Sequence, residues 1–501
     1  MLPLLTSSQI READAYTIAR EPIASIDLVE RASKSFVAWF LNHFPDKSQA
    51  IAIYCGTGNN GGDGLAIARI LHDHQYKSLD IKIARFSEKA TDDFNVNLSR
   101  IEKTAIPLTE IKPVENFPDE NCEVIIDALL GTGLNKPLDG DYKRLVSHIN
   151  SLHKTVVAVD VPTGLFSDGE IPDGVTALNA SLVITFQQPK INFLLPESAP
   201  FIKCWEAVNI GIDEKFLLSL NSPYQAVEEK DIRRMLKPRH RFTNKGTYGH
   251  TLIVAGQAET MGAALLSASA CVYTGSGLTT ACVPQSGLTA LNSYMPEIMA
   301  IVRSGAELPQ IKWHNFSAVG IGPGLGKDEL AVAVLTDILT NYKKPVVIDA
   351  DALNILSVHR ELWRSMPENS ILTPHMKEFD RLFGDHQNWW QRIQTGIQRA
   401  QEHFIYILLK NDYTIIITPQ GKVYFNTTSN PAMASGGMGD ILTGMITSLL
   451  AQSYTPEEAC IIGAYLHGKA GDELALPNRL NVVLPSQVAA RIPAAMAKLM
   501  T

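Results

Sequence analysis

The stretch AIAIYCGTGNNGGDGLAIARIL, residues 50–71, decides the fold of the first part of this 501-residue chain. A short apolar run passes directly into a turn that contains five glycines, and a segment with helical spacing of apolar residues follows. Strand, glycine turn and helix in this order are typical of a parallel sheet with helical crossovers. Val- and Ile-rich runs alternate with helical segments along the rest of the chain, which predicts an α/β fold throughout.

The length of the chain exceeds what one hydrophobic core usually organises, so we expect two domains. Hydrophobic residues make up 45% of the chain and charged residues 19%, a balance typical of folded globular proteins. A polar, charged segment with prolines separates the two halves and predicts a boundary near residue 220. The predicted domains are residues 1–213 and 230–501, joined by a linker at 214–229.

The charge pattern argues against nucleic acid as a partner, because the net charge of -8 comes with no basic run. No apolar stretch reaches the ~18 residues of a membrane-spanning helix. The first residues, MLPLLTSSQIREAD, lack the basic leader of a signal peptide. Six scattered cysteines predict reduced, buried thiols rather than zinc sites or redox pairs, and together these features predict a cytoplasmic location.

Three strand ends in the first half carry residues suited to a phosphate-bearing ligand. The glycine turn at 56–64 offers backbone N–H groups at a helix start, although a purely structural tight turn is the alternative. EVIIDALLGTGLNKPL places Asp127 before a second glycine turn, and TVVAVDVPTG places Asp160 and Thr163 at the third strand end. An isolated aspartate of this kind is usually a cap or turn former. Because ligands collect at the carboxyl ends of parallel strands, we expect the three loops to face one crevice.

The segment NPAMASGGMGDILTGMITSLL carries the corresponding pattern in the second half. Three closely spaced glycines before an apolar helix predict an anion hole for a phosphoryl group, and Asp440 is placed to accept a proton from a hydroxyl. The alternative is a glycine turn capped by Asp440. GIGPGLG at 320–326 and LTPHMKEF, with His375 and Glu378, add two further strand ends, although an isolated histidine is more often structural.

The motifs NNGGDG, DALLGTGLNKPL and VDVPTGL, in this order, resemble the NAD(P)H-hydrate epimerase family over residues 1–213. The resemblance implies a Rossmann-like three-layer α/β/α domain in which Asp160 is the acid that contacts the substrate, and the proton transfers of epimerisation make it the candidate general acid/base. It implies a potassium site at Asn60, Asp127 and Thr163, where Thr163 stands for the serine of many members. The helix DLVERAS departs from the family's LMExA pattern, which bears on the dimer contact. The substrate-binding residues implied are Asn59, Asn60, Gly61, Gly62, Asp63, Gly131, Thr132, Gly133, Leu134, Asn135, Lys136 and Pro137.

The segments KGTYGHTLIVAG, GPGLG, DADAL, TPHxxE and GGMGD resemble the ribokinase-like ADP- or ATP-dependent NAD(P)H-hydrate dehydratases over residues 230–501. The resemblance implies that Ala263, Gly324, His375 and Asp440 contact the hydrate. The residues implied to hold the adenine nucleotide are Lys410, Asn411, Asp412, Tyr413, Thr414, Gly436, Gly437 and Gly439. Asn411 stands where the family has glycine, which weakens nucleotide binding if that position needs a positive φ.

The two resemblances imply one repair function. The first half would interconvert the R and S forms of hydrated NADH and NADPH, and the second would dehydrate the S form with ADP, giving AMP and phosphate. Asp160 and Asp440 would be catalytic, with potassium, magnesium and ADP or ATP as cofactors and a homo-oligomer as the assembly. Two alternatives are a vitamin-precursor kinase with an N-terminal nucleotide-binding module, and a first half that senses or scaffolds without catalysis.

Overall fold

The computed structural model describes residues 1–500 except 114–116, 118 and 305–307. The chain forms two compact units. The N-terminal unit comprises Pro3–Ser222 and Asn388–Trp390, and the C-terminal unit comprises Met1–Leu2, Pro223–Gln387 and Gln391–Thr501. The predicted linker at 214–229 is folded in the structure, because it contains a helix and a strand.

The helices and strands alternate in both parts of the chain. Up to residue 222 they are β1 (Leu2–Pro3), α1 (Ser7–Arg20), α2 (Ser25–His43), β2 (Ile51–Cys55), α3 (Asn59–Asp73), β3 (Leu79–Ala84), α4 (Asp92–Ile101), β4 (Leu108–Ile111), β5 (Val124–Ala128), α5 (Gly140–Ser151), β6 (Thr155–Val159), β7 (Leu182–Phe186), β8 (Trp205–Val208) and α6 (Glu214–Ser219). From residue 223 they are β9 (Tyr224–Val227), α7 (Glu229–Met235), β10 (His250–Val254), α8 (Met261–Thr274), β11 (Leu278–Pro284), α9 (Leu288–Tyr294), β12 (Ile298–Arg303), β13 (Ala318–Ile321), α10 (Glu329–Asn341), β14 (Val346–Ile348), α11 (Ala350–Val358), β15 (Ile371–Leu372), α12 (Met376–Phe383), α13 (Trp389–His403), β16 (Tyr406–Leu409), β17 (Ile415–Ile417), β18 (Val423–Asn426), α14 (Met438–Ala451), α15 (Pro456–Ala475) and α16 (Pro485–Met500).

The N-terminal unit is built on a parallel sheet of seven strands in the order β4-β3-β2-β5-β6-β7-β8. Alternate residues of β2 belong to different cores: Ile51 and Ile53 pack with α2, α3 and α4, whereas Ala52 and Tyr54 pack with α5. Helices therefore cover both faces of the sheet, as the resemblance to a three-layer fold implies. The order of the strands reverses between β2 and β5, and the loops after these strands flank a crevice at the carboxyl edge.

The C-terminal unit carries a sheet of eleven strands in the order β1-β9-β18-β17-β16-β15-β14-β13-β10-β11-β12. The run from β16 to β10 is parallel, but β17 is antiparallel to both β16 and β18. The predicted parallel arrangement therefore holds for most of the sheet, and β17 departs from it. A short turn joins β16 to β17, and a short turn can only reverse the chain.

Two sequence expectations, one about buried cysteines and one about membrane-spanning helices, can be compared with the structure. Cys204 is exposed, whereas the other five cysteines are buried, so the expectation of six buried thiols is wrong at that position. Within the described ranges, no helix has both the length and the apolar character needed to cross a bilayer.

The long apolar helix α14 owes its position to one glycine. A Cβ atom at Gly444 would lie 2.0 Å from the carbonyl oxygen of Ser267 and 2.9 Å from Cβ of Ala270, both on α8. The two helices therefore pack backbone to backbone, and the Sγ atom of Cys271 donates to the carbonyl of Gly444 at 3.2 Å. This contact fixes the start of α14, where Asp440 lies.

We expect Gly444→Ala to destabilise the C-terminal unit by roughly 1–3 kcal/mol, because the added methyl group must push α14 away from α8. Thermal unfolding of the full chain measures the effect. Gly262→Ala is the matched control, since Gly262 lies on α8 and a Cβ there meets nothing within 4 Å. Equal melting temperatures for the two variants would contradict the packing argument.

Candidate active sites

The glycines of the first turn divide into those that permit close packing and those that face open space. A Cβ at Gly61 would lie 1.8 Å from the carbonyl oxygen of Gly56, and one at Gly56 would lie 2.0 Å from that of Leu129. A Cβ at Gly64 would lie 2.5 Å from Cβ of Ala128. Gly58, the N-cap of α3, has nothing within 4 Å. Close packing therefore requires several of these glycines. This agrees with the alternative of a purely structural tight turn.

A cavity of about 540 Å³ lies beside this turn in the N-terminal unit. Most of the residues that the resemblance assigns to substrate line it, namely Asn59, Asn60, Asp63, Gly131, Thr132, Gly133, Leu134, Asn135, Lys136 and Asp160. Gly61, Gly62 and Pro137 are not among its lining residues. Sequence reasoning missed Asp14 on α1 and Lys190 after β7, which also line it. Only the spacing of Ile10, Asp14 and Ile18 on one face of α1 pointed to the first of these.

Asp160 is held in a buried ion pair. Its Oδ1 lies 2.7 Å from Nζ of Lys190, whose side chain is only 2% exposed. The same oxygen accepts hydrogen bonds from the hydroxyl of Thr185 at 3.1 Å and from the backbone N–H of Phe186 at 2.9 Å. Asp160 also has a φ of +65°, an uncommon backbone conformation for a residue other than glycine. The fold thus holds this carboxylate at one place in the cavity wall.

Two further carboxyl groups share the electrostatic field of Asp160. Burial, and then the negative charge of Asp160, raise the pKa of Asp14 to about 6, although Lys190 lowers it. Burial, followed by the charges of Asp160 and Asp14, raises the pKa of Asp63 well above its ordinary value. Two carboxyl groups beside Asp160 therefore bind their protons more tightly than an ordinary aspartate does.

Two of the three positions that match a potassium site, Asp127 and Thr163, are hydrogen-bonded to each other. Asp127 is fully buried; its Oδ1 accepts the hydroxyl of Thr163 at 2.7 Å, and its Oδ2 accepts the backbone N–H of Thr163 at 2.8 Å. Burial raises the pKa of Asp127 to about 6, and the hydrogen bonds from Thr163 oppose the rise. Asn60 lies against Gly131, and its Nδ2 is buried without a partner. Among the described residues, no group of three His, Cys, Asp or Glu side chains is arranged to hold a metal ion.

In the C-terminal unit, the glycine turn runs into α14 rather than stopping before it. Gly436 and Gly437 precede the helix, while Gly439 and Asp440 lie in its first turn. Gly437 has a φ of +99°, in the left-handed region that favours glycine. Because the first N–H groups of a helix have no partners within it, this turn directs donors and a partial positive charge to one point.

A partly buried ion pair lies beneath this turn. Nζ of Lys410 lies 2.8 Å from Oδ1 of Asp349 and 3.9 Å from Oε2 of Glu378. The hydroxyl of Thr443, on α14, donates to Oδ2 of Asp349 at 2.7 Å. A Cβ at Gly439 would lie 3.3 Å from Nζ of Lys410, so the glycine brings the helix start directly over the pair.

Asp440 lies in the field of this pair. Burial, and next the charge of Asp349, raise the pKa of Asp440 to about 7, while Lys410 lowers it. A carboxylate with such a pKa exchanges protons readily near neutral pH, as a general base requires. Sequence reasoning identified Asp440 but assigned no role to Asp349. The tie between Asp349 and Lys410, which are 61 positions apart, is visible only in the fold.

The remaining predicted residues of this site are mostly held by local structure. His375 is the N-cap of α12: its Nδ1 accepts the backbone N–H groups of Lys377 at 3.1 Å and Glu378 at 3.3 Å. Burial lowers the pKa of His375. The carbonyl of Gly324 accepts the hydroxyl of Thr260 at 2.6 Å, and the backbone N–H of Ala263 donates to the carbonyl of Thr260 at 3.1 Å.

The predicted nucleotide loop, Lys410 to Thr414, joins β16 to β17. Asn411 is not among the residues with positive φ, so this position does not require the glycine of the family pattern. The Nδ2 atom of Asn411 is buried without a partner. The side chain therefore causes no backbone strain, and the expected reason for weaker nucleotide binding does not apply.

The folds and sites define a protein of two α/β units, each with carboxyl groups and glycine turns at the carboxyl ends of its strands. Family models match both units: NAD(P)H-hydrate dehydratase over residues 251–494 and YjeF-related protein N-terminus over residues 25–192. A bifunctional NAD(P)H-hydrate repair enzyme of Moorella thermoacetica is 32% identical and covers 94% of this chain and 92% of its own length. The chain belongs to the family of bifunctional NAD(P)H-hydrate repair enzymes, which confirms the resemblances found in the sequence.

Two further comparisons involve a curated relative and a solved structure. The bifunctional NAD(P)H-hydrate repair enzyme of Coxiella burnetii is 32% identical, with 95% of each chain covered. The solved structure of the ADP/ATP-dependent NAD(P)H-hydrate dehydratase of Bacillus subtilis is 28% identical, with a TM-score of 0.48, and covers 55% of this chain and 98% of that chain.

We expect Asp440→Asn to raise the melting temperature, and to do so more at about pH 8 than at about pH 5. The folded-state pKa of about 7 lies above the ordinary value of 3.8, so ionisation in the folded state is unfavourable. This contribution to stability is fully present below the ordinary pKa and is lost as pH rises through the folded one. Thermal unfolding at both pH values measures it, with the exposed Asp385→Asn as control. A stabilisation that does not depend on pH would contradict the argument.

Proposed function

We propose that this chain interconverts the R and S forms of hydrated NADH and NADPH in its N-terminal unit and dehydrates the S form with an adenine nucleotide in its C-terminal unit. The observation that carries the proposal is the same in both units. A buried aspartate paired with a lysine, Asp160 with Lys190 and Asp349 with Lys410, lies beside a carboxyl group whose pKa is raised toward neutrality. Both proposed reactions need proton transfer, and family membership supplies the substrate class.

The proposed epimerisation takes place in the cavity of the N-terminal unit. The hydrate carries a hydroxyl on ring carbon 6, next to the ring nitrogen. Inversion at this carbon requires the hydroxyl to leave and return, or the ring to open and close. Asp160 is the proposed acid/base residue, a role that contributes about 10²- to 10⁴-fold in rate. The nucleotide's phosphates are proposed to meet the N–H groups at Gly58 and Asn59 and in the loop from Gly131 to Lys136.

Potassium belongs to the proposal for the first site, held by Asp127, Thr163 and the amide of Asn60. The residues fit a hard cation, because they supply carboxylate, hydroxyl and amide oxygens. Asp127 is fully buried, and no basic side chain of the described residues pairs with it within 4 Å. Rotation of the Asn60 amide would turn its oxygen to the position of the unpartnered nitrogen. When bound, the ion supplies fixed positive charge beside the substrate's phosphates.

The proposed dehydration uses phosphoryl transfer to make the hydroxyl a leaving group. Asp440 takes the proton of the hydroxyl, whose oxygen attacks the terminal phosphorus of ADP, so that AMP leaves. The ring nitrogen then expels phosphate, and loss of the proton on carbon 5 restores the reduced ring. The N–H groups of the turn at Gly436, Gly437 and Gly439 are proposed to stabilise the charge of the transferring group. Magnesium accompanies the nucleotide phosphates in this scheme.

The other proposed roles follow the family resemblance. Ala263, Gly324 and His375 would contact the hydrate, and the loop from Lys410 to Thr414 would hold the adenine nucleotide. A cytoplasmic location and a homo-oligomer are part of the same proposal. The second candidate function, a vitamin-precursor kinase, would use the same anion hole and Asp440. Membership of the repair family favours the hydrate over a vitamin precursor.

We expect the purified chain to return both epimers of NADH hydrate to NADH with one phosphate released per NADH, when magnesium, potassium and either ADP or ATP are present. Absorbance of the reduced nicotinamide and phosphate release measure the two products. Asp160→Asn should recover only the S form, because its C-terminal unit is unchanged. Asp440→Ala should recover neither. No recovery by the unaltered chain with either nucleotide would contradict the proposal and favour the kinase.

We expect potassium chloride to raise both the epimerisation rate and the melting temperature of the N-terminal unit more than sodium chloride does. The larger ion matches a site of preformed oxygen ligands, and binding to the folded state alone stabilises it. Asp127→Asn, which removes the buried charge, should lose both effects. Equal responses of the unaltered chain to the two salts would refute the potassium assignment.

A further inference from the structure

Helix α1 brings a carboxyl group to the cavity of the N-terminal unit between two isoleucines. Ile10, Asp14 and Ile18 are four residues apart and all line the cavity. Residues at this spacing lie one above another on a helix, so Asp14 projects in the same direction as its apolar neighbours. None of the three motifs that identify the family in this half of the chain includes α1.

Asp14 and Asp160 face the same cavity in different electrostatic situations. Asp160 has the ammonium group of Lys190 at 2.7 Å and two hydrogen-bond donors on the same oxygen. No Lys, Arg or His of the described residues pairs with Asp14 within 4 Å. Burial, and then the charge of Asp160, raises the pKa of Asp14, which favours its neutral form.

Inversion at ring carbon 6 requires one group that gives a proton and another that takes one. If the hydroxyl leaves, an acid must protonate it as the C–O bond breaks and the ring nitrogen donates its electron pair. Water then forms a new C–O bond on the opposite face and gives up a proton to a base. Two carboxyl groups that line one cavity but differ in their charged partners are suited to such a division of roles.

We propose that Asp14 is the proton donor to the hydroxyl on ring carbon 6 and that Asp160 is the acceptor of the proton from the returning water. The inference rests on the proposed epimerisation and deepens it. One proton leaves Asp14 and one arrives at Asp160 in each inversion, so atoms and charge balance. Transfer of that proton back to Asp14, directly or through water, restores the starting state. No oxidant or further reactant is needed.

The groups that face Asp14 explain why it, rather than Asp63, is the donor. Asp63 on α3 is buried, and burial followed by the charges of Asp160 and Asp14 raises its pKa well above the ordinary value, which disfavours release of its proton. The pKa of Asp14 is raised only to about 6, which allows both loss and recovery of the proton. The charged groups that line the same cavity are Asp160 and Lys190 from the strand ends, Lys136 from the second glycine turn and Arg11 from α1 itself.

The test measures conversion of isolated R hydrate to the S form by the full chain with no adenine nucleotide present, so that dehydration cannot occur. We expect Asp14→Asn to lower kcat by about 100-fold or more, the lower end of the range for acid–base catalysis, with KM changed less than about threefold. Asp14→Glu should restore part of kcat. Glu12→Gln, which removes an exposed carboxylate two residues away, should behave like the unaltered chain.

A pH profile separates proton donation from a structural role. In the unaltered chain, kcat should fall as pH rises through the pKa of Asp14, because the donor must carry its proton. Asp14→Asn should lose this descending limb, and Asp14→Glu should shift it. Full kcat in Asp14→Asn, or an unchanged descending limb, would overturn the inference. Absence of epimerisation in the unaltered chain would instead refute the proposed function itself.

Discussion

The pairing of a buried aspartate with a lysine is the interaction on which both sites depend. Lys190 neutralises Asp160 in one unit, and Lys410 neutralises Asp349 in the other. An unpaired charge in either place would be costly to bury, whereas the pair fixes a negative charge at the edge of the sheet. Burial, and then the charge of the paired aspartate, moves the pKa of a second carboxyl group, Asp14 or Asp440, toward neutrality, while the lysine of the pair opposes the shift.

Parallel strands explain why these groups meet. The carboxyl ends of neighbouring strands lie at one edge, so short loops bring residues distant in sequence into one field. Asp160 follows β6, and Lys190 follows the loop after the neighbouring β7. Asp349 follows β14, and Lys410 follows β16, which lies two strands away in the same sheet. Thr443 adds the start of α14 to the second arrangement through its bond to Asp349. The same geometry thus produces two sites with different chemistry.

Sequence patterns predicted the strands and their terminal loops well, because buried strands are continuous apolar runs and glycine turns follow them. They predicted Asp160 and Asp440 because these residues lie inside recognisable motifs. They did not predict Lys190, Asp14 or the pairing of Asp349 with Lys410, since each acts through a contact with a distant part of the chain. They also assigned Gly61 to substrate, whereas a Cβ there would collide with the carbonyl of Gly56. Glycine density alone does not distinguish close packing from ligand binding.

The most direct test of this account is the pH dependence of kcat/KM for dehydration of the S hydrate, because it reports ionisations of the free enzyme. The account predicts a rise with pH with a midpoint at about 7, as Asp440 loses its proton. In Asp349→Asn the midpoint should move to lower pH, since the negative charge of Asp349, which adds to burial in raising the pKa of Asp440, is gone. A profile that is flat between about pH 5 and about pH 9, or a midpoint that the substitution leaves unchanged, would contradict it.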